Sequence, residues 1–273
     1  MAHQGDKPRA PQGALQRCRV HLPLVPVMTA IEIPPGLQFE PISHTYFYDG
    51  VRVPSVTSVI RPLEGYYRMS EKSLKPYAER GTAVHAETER WDMSEDADPA
   101  DCPGDLRGYL SAWVNFRTDF GFVPTHIEHR VYHPRLGYSG TIDRVGTVRG
   151  AYSVVDIKTS AKLGPAVGCQ LAGYQHAWNA EKEEQITGRF AVQLADDGTY
   201  RVMEYSNPLD WDAFRGCLAL HKWQEGHNFV IGDVRPRIDN GQEDVSAWPQ
   251  LVQTGTNRLV PSHRAPSLTK ETK

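Results

Sequence analysis

The sequence predicts an α/β domain in which helices cover the faces of a mixed β-sheet. Three observations predict it. From residue 105 to 226, segments with helical spacing and segments with strand alternation follow in the order helix, three strands, helix, two strands, helix. Two of the strand pairs are joined by short turns built on glycine, Arg149-Gly150 and Asp196-Asp197-Gly198. The composition is that of an ordinary globular chain, with 273 residues of which 40% are hydrophobic and 23% charged.

The elements follow in order. FEPISHTYFYDGVRVPSVTSVI (39–60) alternates around a YDG turn and reads as a hairpin. SEKSLKPYAERGTAVHAETERW (70–91) has helical spacing, with Pro76 breaking its front. DMSEDADPADCPGD (92–105) holds six acids and no base and reads as a solvated loop. DLRGYLSAWVNFRTDFG (105–121) is an amphipathic helix stopped by Gly121. THIEHRVYH (125–133), YSGTIDRVGTV (138–148) and AYSVVDIKT (151–159) are strands. GPAVGCQLAGYQHAWNAE (164–181) is a helix with Pro165 suited to its first turn. RFAVQLA (189–195) and TYRVMEY (199–205) form a hairpin, and NPLDWDAFRGCLALHKWQEG (207–226) is a closing helix capped by Asn207. These elements define a domain over 31–232. Residues 1–30 lack periodicity and read as a flexible tail, with Met28 a fitting start for the patterned region. Residues 233–273 read as a second flexible tail, disordered from 253 onward.

The totals exclude several classes. A net charge of −3 gives no global basic field, although a site that holds divalent cations brings its own positive charge to a phosphate. Cys18, Cys102, Cys169 and Cys217 are scattered, with no CxxC for zinc or redox chemistry, as in a compartment with reduced thiols. There is no membrane span. LPLVPVM (22–28) mimics a signal peptide, but His21, Pro23 and Pro26 interrupt its apolar region, so a cytoplasmic, non-secreted protein is expected. No GxGxxG or GK pair is present, and GYSGT (137–141) has Thr141 where a nucleophile elbow needs its second glycine.

Chemistry gathers around VVDIK (154–158). A two-residue turn at Arg149-Gly150 sets Asp143 directly across from Asp156, with Cβ atoms roughly 4.5–5.5 Å apart. Carboxylates that close repel unless a cation lies between them. Lys158, two residues on from Asp156, shares its face. On the helices, His85 and Glu89 are four apart, as are Gln170 and Tyr174, so each pair shares a face. Taken singly, each group has an ordinary structural explanation: a surface salt bridge, a hydrogen-bonded histidine, helix packing. Their joint occurrence is what points to a site.

In that order the pieces resemble the RecB-like exonuclease branch of the PD-(D/E)XK nuclease superfamily, which includes phage-type exonucleases, CRISPR-associated RecB-like nucleases and the mitochondrial genome maintenance exonuclease. GTAVHAETE (81–89) is similar to the helix that offers a histidine and a glutamate. GTID (140–143) is similar to the strand with the first metal aspartate, and DIK (156–158) to the (D/E)XK element, followed by Thr159 and Ser160. QLAGY (170–174) matches the QxxxY of the branch, and PSVTSVI (54–60), after a HxYxxDG-like stretch (44–50), resembles a segment of phage and mitochondrial members.

The resemblance implies a restriction-endonuclease-like core and a metal-dependent DNA nuclease, most plainly an exonuclease of recombination, repair or phage DNA processing. It implies one or two Mg²⁺ or Mn²⁺ ions held by Asp143, Asp156, His85 and the Ile157 backbone carbonyl. Lys158 would position the attacking water, Glu89 would assist a second ion, and Gln170 and Tyr174 would orient Lys158 or touch the substrate. Ser55, Thr57, Arg80 and Thr159 would contact phosphate, and Arg61, Arg68, Lys72, Lys75 and Arg80 offer a local basic track that also reads as a solvated helix face. The cysteine spacing excludes the iron–sulfur cluster of some relatives, so no iron–sulfur centre is expected. DNA with free ends is the implied partner, with a recombination or replication protein as a possible second. A restriction-type endonuclease and a non-catalytic DNA-binding protein on the same fold are the rival readings.

Overall fold

The computed structural model describes residues 33–64, 71–94, 101–160, 163–227 and 258–260. The expected N-terminal tail, LPLVPVM and Met28, and most of the expected C-terminal tail, lie outside these residues. So does Arg68, and nothing is described of the Lys72 side chain.

A small antiparallel sheet comes first: β1 (Leu37–Glu40), β2 (Thr45–Tyr48) and β3 (Val51–Val53). Its second turn is the expected Asp49-Gly50, both with positive φ (48° and 77°), which suits the twist of a two-residue hairpin. The PSVTSVI stretch departs from expectation. Instead of continuing the hairpin it forms helix α1 (Val56–Glu64). Ser55 and Ser58 cap its start reciprocally, each hydroxyl accepting the other's backbone N–H at 3.0 Å. Val56, Val59 and Ile60 fall at helical spacing and are all buried. Burial of that face overrides the strand preference of a β-branched run.

Helix α2 (Glu71–Met93) runs through Pro76 rather than starting after it. α3 (Arg107–Phe120) ends, as expected, on Gly121 with φ 59°. Then come β4 (Val123–His133), β5 (Tyr138–Val148), β6 (Ala151–Lys158), α4 (Ala166–Glu181), β7 (Gly188–Leu194), β8 (Tyr200–Glu204) and α5 (Leu209–Gly226). Asn207 Oδ1 accepts the Leu209 N–H at 3.0 Å, capping α5. A short strand β9 (Arg258–Val260) adds to the edge beside β8, where a flexible tail is expected. The main sheet has the order β4-β5-β6-β7-β8-β9, antiparallel except for β6 and β7, which α4 connects.

The sheet is covered on both faces, as the α/β reading requires. Val131, Ile142, Val145 and Val154 pack on one side with residues of α1, α4 and α5, including Ile60, Trp178 and Phe214. Val155, Ile157 and Val192 pack on the other with Val84 of α2 and Trp113 and Phe116 of α3. Val154 and Val155 thus enter opposite cores, as strand alternation demands.

The acidic stretch 92–105 is not wholly a solvated loop. Asp92 ends α2 and is buried, and Cys102 is buried too. Asp92 sits between two buried cations, with Arg117 Nη1 donating to Oδ1 at 2.6 Å and Arg144 Nε to Oδ2 at 2.7 Å. Trp113 Nε1 donates to the same carboxylate at 3.0 Å. Composition marked this stretch as polar; the cations that bury its first acid come from α3 and β5, far along the chain.

Removing Asp92 leaves the Arg117 guanidinium buried without its counter-charge and Arg144 with Glu128 alone. Asp92→Ala is therefore expected to cost about 3–5 kcal/mol, read as a fall in the urea midpoint. Glu181 provides a pH test. Its carboxylate accepts the Tyr132 N–H, and burial raises its pKa from 4.5 to about 7. The folded state thus holds this proton more tightly than the unfolded chain. The Glu181 contribution to stability is largest below pH 4.5 and is lost as pH rises through about 7. Comparing wild type with Glu181→Gln in denaturant melts across that window should show the loss only in wild type.

Candidate active site

The site forms where the ladder between β5 and β6 opens. Their pairing runs from Val148↔Ala151, across the expected Arg149-Gly150 turn, to Arg144↔Val155. Beyond it, side chains take over from the neighbouring main chain. The Ile157 N–H donates to Asp143 Oδ2 at 2.7 Å, and the Ile157 carbonyl lies 3.0 Å from His85 Nε2. Buried main-chain groups need partners, so the two side chains close the gap that the diverging strand leaves. With Nε2 turned to that carbonyl, His85 Nδ1 faces the acids.

A third acid joins them. Ile127↔Arg144 and His129↔Ile142 are paired on either side of Glu128, which sets Glu128 across from Asp143. Glu128 has φ 47°, a left-handed backbone that non-glycine residues adopt at a cost. Alternation changes phase here: Ile142 and Val145 pack into one core, while Arg144 lies over Trp113 in the other. Glu128, Asp143 and Asp156 thus stand on three adjacent strands. His85 Nδ1 is 3.7 Å from Asp143 Oδ1 and 3.9 Å from Glu128 Oε1, and these three residues have ligand atoms within 4.8 Å of one another.

Arg144 underlies this group. Its side chain is fully buried, and Nη1 donates to Glu128 Oε1 at 3.2 Å and to the Asp143 carbonyl at 2.6 Å. Nη2 reaches Thr88 Oγ1, which in turn donates to the His85 carbonyl.

On the other side, Lys158 Nζ is 2.9 Å from Asp156 Oδ2 and donates to Oδ1 at 3.2 Å and to Gln170 Oε1 at 3.1 Å. Gln170 Nε2 donates to Tyr174 OH at 3.4 Å. Tyr174 packs on Gly140, where a Cβ would come within 2.6 Å of its ring. Only glycine at the head of GTID admits this tyrosine.

Electrostatics follow from crowding. Burial raises the Asp156 pKa, with Lys158 opposing and Asp143 adding to the rise. Burial disfavours the Lys158 charge, but Asp156 and Asp143 outweigh it and hold the amine protonated. His85 likewise overcomes burial through Asp143 and Glu128, reaching about 9. Glu89 is raised by burial and by Glu128.

These groups line one cavity of about 470 Å³. It brings together His85, Glu89, Asp143, Asp156, Lys158, Gln170 and Tyr174, together with Ser55 and Thr57. Arg80 is not in its lining; its guanidinium packs over Tyr77 and Tyr109. Thr159 also lies outside the lining, with its hydroxyl near the α-carbon of Gly81. Glu128 and Arg144 escaped sequence reasoning. For Glu128 a signal existed: Pro134 and Gly137 mark a four-residue turn closed by His133↔Tyr138, and counting back from it reaches Glu128 opposite Asp143.

The donor set fits a hard divalent cation: carboxylate oxygens, a main-chain carbonyl and one imidazole. The Asp156 carboxylate is buried against the Lys158 amine, which lies 2.9 Å from its Oδ2. The model of the PD-(D/E)XK nuclease superfamily matches residues 61–260. The chain belongs to the PD-(D/E)XK nuclease superfamily. A search of the curated proteins finds no match. As a PD-(D/E)XK nuclease it has the restriction-endonuclease-like fold and acts as a metal-dependent nuclease on DNA. None of its described helices is long and apolar enough to cross a membrane.

Glu128→Gln keeps the size of the side chain and removes one anionic ligand. Mn²⁺ affinity measured by calorimetry is expected to fall by about 10–100-fold.

Proposed function

We propose that the protein is a RecB-like exonuclease that hydrolyses phosphodiester bonds from free DNA ends, in recombination, repair or phage DNA processing. The observation that carries this reading is the chain Lys158–Gln170–Tyr174. The QxxxY pair on α4 reaches the amine of the DIK element, so the two motifs act as one unit.

Asp143, Asp156 and Glu128, with His85 and the Ile157 carbonyl, would hold one or two Mg²⁺ or Mn²⁺ ions. A bound divalent ion lowers the pKa of water and offsets charge on phosphate. The chain's own groups supply the rest. Lys158 is held between Asp156 and Gln170 and keeps its proton, so its ammonium orients the attacking water and stabilises the charge that develops on the phosphate. Tyr174 and Gly140 fix Gln170 from below. Ser55 and Thr57 present hydroxyls to the cleft, and we assign them to phosphate contacts. Glu89, four residues after His85 on the same helix, would hold a water beside the ions. A restriction-type endonuclease would use the same cleft, and the nature of the DNA ends separates the two.

End-labelled linear DNA should be degraded with Mg²⁺ or Mn²⁺ and spared in EDTA. Asp156→Ala and Lys158→Ala should each slow degradation at least about 10²-fold. Metal-dependent loss that survives both substitutions would overturn the site. A closed circular substrate should stay intact; its cleavage would favour the endonuclease.

A further inference from the structure

A strand turns every second side chain to one face. In EHR (128–130) of β4, Glu128 and Arg130 both line the catalytic cleft, while His129 between them packs on Trp178. Glu128 stands across the ladder from Asp143, and Arg130 pairs with Thr141. Two residues along a strand span about 6.6 Å, so Arg130 leaves the sheet one row away from the acids.

Other cations near the acids are engaged by the protein itself. Asp156 and Gln170 hold Lys158, and Asp92 and Glu128 hold Arg144. Arg80, expected to meet phosphate, packs over Tyr77 and Tyr109 outside the lining. Arg130 differs. It forms no ion pair or hydrogen bond with a described residue, and its Nε is buried without an acceptor. Glu128, two residues before it, gives its Oε1 to Arg144 instead.

What holds Arg130 is a ring. Its guanidinium lies over Phe39 at 4.9 Å. A contact of this kind covers one face of the planar group and leaves the Nη donors at its edge open. Phe39 packs in turn on Tyr46, with ring centroids 4.8 Å apart, and Tyr46 OH lies 2.7 Å from Thr141 Oγ1. The support of Arg130 thus runs back to the residue across the ladder from it. A side chain fixed in advance loses less freedom when it binds.

We infer that Arg130 binds the DNA phosphate next to the one that is cleaved. The inference deepens the proposed function and rests on the cleft as the site of hydrolysis. A guanidinium fork matches two phosphate oxygens, and this one has no carboxylate to compete with them. Its row on the ladder puts that phosphate beside the carboxylates and Lys158 rather than among them. A contact away from the reacting atoms is made equally before and during the chemical step. Arg130 therefore sets affinity for DNA and leaves turnover to the acids and Lys158.

Steady-state cleavage of end-labelled linear DNA with Mg²⁺, and fluorescence anisotropy of the same DNA with Ca²⁺ in its place, test this. Arg130→Gln should raise KM about 10-fold and leave kcat within about 3-fold of wild type. It should also lower the log–log slope of DNA affinity against salt by about 1. Arg130→Lys keeps the charge but not the fork, so it should restore the slope and only part of the affinity. Arg201→Gln removes an exposed cation of β8, outside the cleft, and should change neither. If Arg130 only braces Phe39, Arg130→Gln lowers the melting temperature but leaves KM and the salt slope as in wild type, and the inference is overturned. A fall in kcat at unchanged KM overturns it too, as does an equal loss in Arg201→Gln. Should Arg130→Gln not fold, Arg130→Lys decides: wild-type affinity in that variant overturns the inference. A failure of the nuclease reading looks different. Wild type then cleaves no DNA with any metal, while the binding and its salt slope still report on Arg130; if wild type does not bind DNA either, both readings fall.

Discussion

Arg144 is the centre on which the rest of the molecule turns. A guanidinium with no exposed side-chain surface is costly unless it is paired and hydrogen-bonded, and here each of its three nitrogens finds a partner, from four directions in all. Asp92 binds it from the end of α2, Thr88 from the middle of the same helix, Glu128 from β4, and its own strand supplies the Asp143 carbonyl. The same ion that locks α2 and α3 to the sheet, through Asp92 and Arg117, aims Glu128 at the cleft. Stability and site geometry share this contact, so neither can be altered alone.

The cleft gathers like charges at the cost of local strain. Three carboxylates stand on neighbouring strands, Glu128 adopts a left-handed backbone, and the β5–β6 ladder opens. Each cost has a local answer. Arg144 offsets Glu128, Lys158 offsets Asp156, and Asp143 caps the Ile157 N–H that the open ladder would strand. Glu128 and Asp143 still crowd together beside His85, and close carboxylates of this kind are what a divalent cation draws together.

Much of this was readable in advance because it depends on short range. The β5–β6 hairpin follows from two residues with positive φ, Arg149 and Gly150, and from it the register can be counted as far as Arg144↔Val155, next to Asp143 and Asp156. The α4 face bearing Gln170 and Tyr174 follows from helical period alone. Other features depend on partners distant in the chain. Asp92 looked solvated because Arg117 and Arg144 lie 25 and 52 residues away. α1 looked like a strand because the core that buries Val56, Val59 and Ile60 is made by α4 and α5. Glu128 was hidden because a single acid in a strand carries no mark until its neighbour on β5 is known.

By itself, then, the sequence determined the order of the elements, the turn that joins the two aspartate-bearing strands, and the resemblance of four ordered motifs to a nuclease family. These rest on backbone preferences and periods that act over a few residues. The tertiary structure alone decided which acids converge, which charge is buried, and which arginine lines the cleft. Convergence depends on strands, helices and charges separated by tens of residues, and only the packed sheet brings them within a few ångströms.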